Sequence, residues 1–178
     1  MPSPTCLILN CTLKRSPDES SSELLGSQIL SELTDHGVKG EMVRVVDHDV
    51  RFGVSIDEGD GDAWPQVRER MLAADALVLV TPIWLGQPSS VCKMVLERLD
   101  AELSETDADG RMLTYDKVAG FTIPANGSTY WVGEAMQAVD YKDKQPTPEK
   151  TAGTTKTMAR NLAHLAGLLA ESPYPAGE

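Results

Sequence analysis

The chain is poor in cysteine, in basic residues and in long apolar runs. Only Cys6, Cys11 and Cys92 are present, with no C-x-x-C pair. That excludes a disulfide framework and a structural zinc site, and makes the reducing cytoplasm the expected compartment. The longest strongly apolar stretch, Ala76 to Val80, is far too short to cross a bilayer. No basic region precedes the short apolar run at Cys6–Leu9, so no signal peptide and no membrane association are expected. Sixteen Lys and Arg face 27 Asp and Glu, a net charge of -11 with a pI near 4.7. Such a surface repels a phosphate backbone, which argues against nucleic acid as a partner. The chain also lacks a GxxxxGK[ST] loop, a GxGxxG fingerprint and a G-x-S-x-G elbow. His36, His48 and His164 lack metal-ligand spacing.

What is present is a regular alternation. The 178 residues suit a single domain spanning 1–178, with a frayed tail from about residue 170. Leu7-Ile8-Leu9 reads as a buried strand. Leu25, Ile29 and Leu33 recur at four-residue steps and mark a helix from Glu23, ended by Gly37 and Gly40. Met42 to Val46 reads as a second strand. A helix from near Asp62 carries Pro65 in its first turn. Ala76–Val80 is the central parallel strand, apolar throughout because both faces are covered. Thr81–Pro88 reads as a loop, Ser90–Leu103 as a helix and Lys117–Ile123 as a fourth strand. The last helix runs from Glu149 to Leu169, with Met158, Leu162, Leu165 and Leu169 at helical spacing. Pro124–Pro148 is a long irregular stretch between the last strand and the last helix. The order predicts an α/β fold, a doubly wound parallel sheet in a three-layer α/β/α arrangement.

Two loops lie where ligands bind, beyond the carboxyl ends of the strands. The first, Cys11 to Ser22, leads into a helix. Ser20 and Glu23 have capping-box spacing, and Lys14, Arg15 and four serines add donors and local positive charge. It reads equally as an anion site or as a capped helix behind a solvated loop. The second, Thr81 to Ser89, places Trp84 after the central strand, where it could stack on a planar ring or cover the core edge. A third segment, Pro124 to Trp131, combines turn formers with Asn126, Tyr130 and Trp131, candidate contacts to a ring or substrate. Glu105 to Gly110 alternates carboxylates like a calcium loop, with Asp116 at the twelfth position. A solvated turn fits better, because the terminal ligand is short and a strand follows.

The serine loop, the segment TPIWLGQPSSVCKMVLERLD and the segment FTIPANGSTYWVGEAM together resemble flavodoxin-like, FMN-dependent NAD(P)H oxidoreductases, the FMN reductase and quinone reductase family. The resemblance spans nearly the whole chain. It implies a five-stranded parallel sheet, one FMN per subunit, NAD(P)H as donor, a small acceptor such as a quinone or flavin, and a homodimer or homotetramer. It implies that Thr12, Lys14, Ser16, Ser20, Ser21 and Ser22 hold the FMN phosphate. It implies that Pro82, Ile83, Trp84, Leu85 and Gly86 line the isoalloxazine ring. The flavin carries the chemistry, so no catalytic acid–base pair is required of the protein. An electron carrier docking to a redox partner, or a flavin-free relative, are the alternative readings. One departure stands out. Lys117-Val118-Ala119-Gly120 resembles the start of the family's fourth strand and Phe121-Thr122-Ile123-Pro124 its fifth. A loop, helix and part strand of about two dozen residues is missing between them.

Overall fold

The computed structural model describes residues 3–122, 140–143 and 146–174. Strand β1 (Thr5–Asn10) leads to helix α1 (Ser21–Asp35) and strand β2 (Lys39–Arg44). Helix α2 (Trp64–Ala73) and strand β3 (Ala76–Val80) follow. A small hairpin, β4 (Ile83–Trp84) and β5 (Gln87–Pro88), precedes helix α3 (Ser90–Leu99). Strand β6 (Val118–Thr122) and helix α4 (Glu149–Glu171) complete the order. The main sheet runs β2-β1-β3-β6, and its three pairings are all parallel.

Side chains on a strand alternate between faces, and β1 shows what that does. Cys6 and Ile8 pack with Leu25, Ile29 and Leu33 of α1 and Ala159, Leu162 and Ala166 of α4. Leu7, Leu9 and Cys11 pack on the other face with Val67 and Met71 of α2 and Cys92 and Val95 of α3. A run that is apolar at every position is therefore buried on both sides, and the fold is the expected α/β/α sandwich of flavodoxin type. Each such aliphatic side chain contributes about 1.5–3 kcal/mol by leaving water.

Tertiary contacts move several boundaries. The second strand is Lys39–Arg44 rather than Met42–Val46, because pairing with β1 runs from Thr5↔Lys39 to Asn10↔Arg44. Val45–Asp47 instead turns in a 3₁₀ segment. Helix α2 begins at Trp64, and Asp62 stays outside it, accepting the Trp64 N–H at 3.1 Å. The third helix tightens to 3₁₀ over Asp100–Leu103, where buried Glu102 pairs with Arg68 at 2.5 and 3.0 Å. In α4 the buried stripe is Thr151, Thr155, Ala159, Leu162 and Ala166. Small residues make up most of the stripe that packs on α1 and the sheet. Leu165, which shares the helical spacing of Leu162, is 48% exposed, as is Leu168.

One edge of the main sheet is β6. It runs unbroken through Gly120 and Phe121, so one strand stands where the family pattern has two, and four strands instead of five form the main sheet among the described residues. A cavity of about 390 Å³ lies between β6 and α4, lined by Val118, Gly120, Met158, Leu162 and Leu165 among others. Gly120 permits the close approach: a Cβ there would lie 3.1 Å from Leu162 and 3.3 Å from Val78. Glu105–Gly110 is a self-contained turn. The Asp107 carboxylate accepts the N–H groups of Asp109 and Arg111, both at 2.9 Å, and pairs with the Arg111 guanidinium.

Candidate functional site

The chain runs from β1 to β2 on one side of the sheet and reaches β3 on the other. The crevice beyond β1 and β3 is thus the topological switch point, where ligands settle in open parallel sheets. The serine loop and the hairpin both rise from this edge.

The serine loop begins as an extension of β1, with Cys11 N–H donating to the Val80 carbonyl at 2.7 Å. Thr12 is buried; its N–H donates to Asn10 Oδ1 at 3.2 Å and its hydroxyl accepts the Lys14 N–H at 3.3 Å. Lys14 reaches across the loop to the Glu19 carbonyl at 3.2 Å. Ser20 is the N-cap of α1, accepting the Glu23 N–H at 3.3 Å. The capping box is only half made, because the Glu23 carboxylate pairs with Arg44. A helix cannot satisfy its own first N–H groups. Those of Ser21 and Ser22 therefore lie at the mouth of the loop, with the positive end of the helix dipole.

Ser16 stands apart from the other serines. Its N–H and hydroxyl donate to Asp47 at 2.9 and 2.5 Å. The Ser16 hydroxyl, helped by the nearby Arg44 and Arg15, holds the Asp47 carboxyl below its ordinary value. The structure thus brings Thr12, Lys14, Ser20, Ser21 and Ser22 around one helix terminus and ties Ser16 to the neighbouring turn.

The segment read as a loop after β3 contains a hairpin. Ile83 pairs with Pro88 and Trp84 with Gln87. Leu85 and Gly86 link them, with φ of 48° and 78°. Positive φ at both central residues is the type I′ signature, which matches strand twist but strains a leucine. The tip projects its apolar side chains outward: Trp84 is 61% exposed and Leu85 fully so. Trp84 is therefore exposed and does not cover the core edge.

Beneath the hairpin, Ser89 joins three elements. Its hydroxyl donates to the Cys11 carbonyl at 2.6 Å and accepts the Cys92 N–H at 3.1 Å, capping α3. The Thr81 hydroxyl, at 3.2 Å, accepts the Ser89 N–H at 3.1 Å. Cys11 and Cys92 share a hydrogen bond that raises the Cys11 thiol and lowers the Cys92 thiol. Both are buried, so they act as packing residues.

Sequence reasoning missed the short 3₁₀ segment Tyr141–Asp143, which packs on the start of α1. The Tyr141 hydroxyl donates to Gln28 at 2.5 Å, burial raises its pKa, and the Lys142 N–H donates to the Ser21 hydroxyl at 3.3 Å. A cavity of about 280 Å³ opens beside them, lined by Glu19, Ser20, Glu23, Leu24 and Lys142. No periodic signal marks so short a contact. Asn126, Tyr130 and Trp131 lie outside the described residues. Among the described residues no helix is long and apolar enough to cross a membrane.

The family model described as NADPH-dependent FMN reductase matches residues 4–141. The 8-demethyl-8-aminoriboflavin-5'-phosphate synthase of Streptomyces davaonensis is 30% identical over 204 residues, covering 94% of this chain and 79% of that protein. A Mycobacterium bovis protein named divalent metal cation transporter MntH is 34% identical over 195 residues, which is 92% of this chain but only 28% of that protein. This chain therefore spans little more than a quarter of that relative's length. Both alignments are longer than the 178 residues of the chain, so the relatives carry residues with no counterpart here. The crystal structure of RosB with bound 8-demethyl-8-formylriboflavin-5'-phosphate superposes with a TM-score of 0.80 at 28% identity, over 97% of this chain and 82% of that one. A flavone reductase, 12% identical, shares the fold with a TM-score of 0.59, over 96% of this chain and 66% of that one.

The donor set fits a flavin phosphate. The Ser21 and Ser22 N–H groups open α1 without intrahelical partners, and the buried Asn10 amide nitrogen has no partner of its own. Sheet order, donor set and family match agree: the chain belongs to the NADPH-dependent FMN reductase family, flavodoxin-like oxidoreductases with FMN as cofactor and NAD(P)H as donor.

Proposed function

We propose that the chain passes reducing equivalents from NAD(P)H through FMN to a quinone, a flavin or a similar small acceptor. The observation that carries this is the pairing, at one switch point, of a helix-terminus donor set with an exposed hairpin. Bound FMN would supply the hydride and electron chemistry. The protein's own groups bind and orient. The N–H groups and hydroxyls of Ser21 and Ser22, with Thr12, Lys14 and Ser20, hold the phosphate, while Ser16 shapes the loop through Asp47. Pro82 to Gly86 form a wall for the ring, with Trp84 offering a flat apolar face. A donor on the tip, the Gly86 N–H or a hydroxyl, is suited to stabilise negative charge on a reduced ring. The acidic surface does not oppose this, because salt screens remote charges beyond about 10 Å while the helix terminus acts at contact. The protein assembles as a homo-oligomer, to be tested by its solution mass.

A second reading follows from RosB, whose crystal structure holds a riboflavin-5'-phosphate intermediate and which superposes well. The same site could hold the flavin phosphate as substrate instead of as a resident cofactor. Mass analysis of the flavin after turnover separates the two: it is recovered unchanged in the first and altered in the second.

The test is an FMN titration of the flavin-free chain, followed by steady-state NAD(P)H oxidation with a quinone and no partner protein. Activity without a partner supports the reductase and rejects an electron carrier. Lys14→Ala and Ser21→Ala should each weaken FMN binding about fivefold, the worth of one hydrogen bond. Unchanged affinity in both variants would overturn the phosphate assignment.

A further inference from the structure

The residue that organises the serine loop lies outside it. Arg44 closes β2 beside Asn10, and its side chain is 7% exposed. Its Nη1 donates to two loop carbonyls, Asp18 at 2.9 Å and Lys14 at 3.3 Å. Its Nη2 pairs with Glu23 in the first turn of α1. Only a planar fork can serve all three at once, which a lysine cannot do. Nε is buried with no partner. Such burial costs stability, so cohesion alone is a poor reason for an arginine here.

The consequences are electrostatic and geometric. A peptide unit is planar and trans, so a carbonyl drawn inward turns the next N–H outward. Arg44 thereby aims the Arg15 and Glu19 N–H groups away from itself and withdraws two carbonyl oxygens from the loop mouth. It also neutralises Glu23, a carboxylate at the same helix terminus that would otherwise repel a phosphate. We propose that Arg44 is a positioning residue that tunes the loop for a dianionic phosphate, so that the chain prefers phosphorylated flavin to riboflavin. The inference rests on the FMN reading above.

The experiment compares FMN with riboflavin, titrated separately into the flavin-free chain and followed by flavin fluorescence. In Arg44→Met, FMN affinity should fall about tenfold or more, the worth of charge-assisted bonds, while riboflavin affinity stays within about twofold. Equal losses for both flavins would show a merely structural role and overturn the inference, as would an unchanged FMN affinity. If Arg44→Met does not fold, Arg44→Lys decides: it keeps the charge without the fork and should lose about threefold or more for FMN alone. Equal or absent losses there overturn the inference. A wild-type chain with no preference for FMN overturns the phosphate reading itself, and this inference with it; a wild-type preference that survives in the variants overturns this inference alone.

Discussion

Ser89→Ala is the sharpest test of how the site is supported. The Ser89 hydroxyl has one hydrogen and two lone pairs, and all are used. The hydrogen goes to the Cys11 carbonyl, and the lone pairs take the Cys92 N–H and the Thr81 hydroxyl. Losing the cap of α3 costs about 1 kcal/mol. Leaving the buried Cys11 carbonyl without a donor costs a further ~1–3 kcal/mol. Thr81 adds little, because its hydroxyl can donate to the Pro82 carbonyl at 3.0 Å instead. The sum is about 2–4 kcal/mol. Urea unfolding of the flavin-free protein, followed by circular dichroism, measures it, and the midpoint should fall with an unchanged slope. Thermal melting should drop by roughly 4–15 °C. Ser90→Ala, at an exposed neighbouring position, serves as the control and should stay within about 0.5 kcal/mol. A loss below about 1 kcal/mol in Ser89→Ala would refute the reasoning, since neither the cap nor the carbonyl bond would then matter.

Two further outcomes follow from buried groups. Asp62 and Arg98 form an ion pair of 2.8 Å with both side chains inaccessible, and Arg98 also stacks over Trp64. Burial raises the Asp62 pKa, but N–H groups of Glu58, Arg51 and Trp64, with Arg98, outweigh it and leave it lowered. A lowered folded value stabilises above the unfolded value of about 3.9 and is lost as pH falls through the folded one. Asp62→Asn should therefore cost about 3–5 kcal/mol at pH 7, and urea unfolding below about pH 4 should show the gap to wild type closing; a gap independent of pH would refute this. The three cysteines are all buried, and burial pushes the Cys6 thiol up to about 12. Native protein at neutral pH should thus leave all of them unmodified by a thiol reagent that labels three after unfolding; fast native labelling would refute the packing.

The layered fold could be read from the sequence because its cause is local. Leu7-Ile8-Leu9 and Ala76–Val80 are apolar at every position, which only a strand covered on both faces requires. Leu25, Ile29 and Leu33 repeat at helical spacing and do face the core. The two site loops could be placed for the same reason, since strand ends point to them. The sequence alone also determined that the basic and hydroxyl-bearing residues Thr12, Lys14, Arg15, Ser16 and Ser20 cluster before α1. It could not determine their partners. Ser16 looks like its neighbouring serines, but only the turn at Val45–Asp47 brings a carboxylate onto it. Glu23 has capping-box spacing, but the end of β2 delivers a guanidinium that takes its charge. In α4 the periodicity marked Leu162, which is buried, together with Leu165, which is not, and it passed over Thr151, Thr155, Ala159 and Ala166, which complete the buried stripe. Periodicity and composition are properties of neighbours along the chain. Which buried donor meets which acceptor depends on strand order and register, and those exist only once distant segments are packed together.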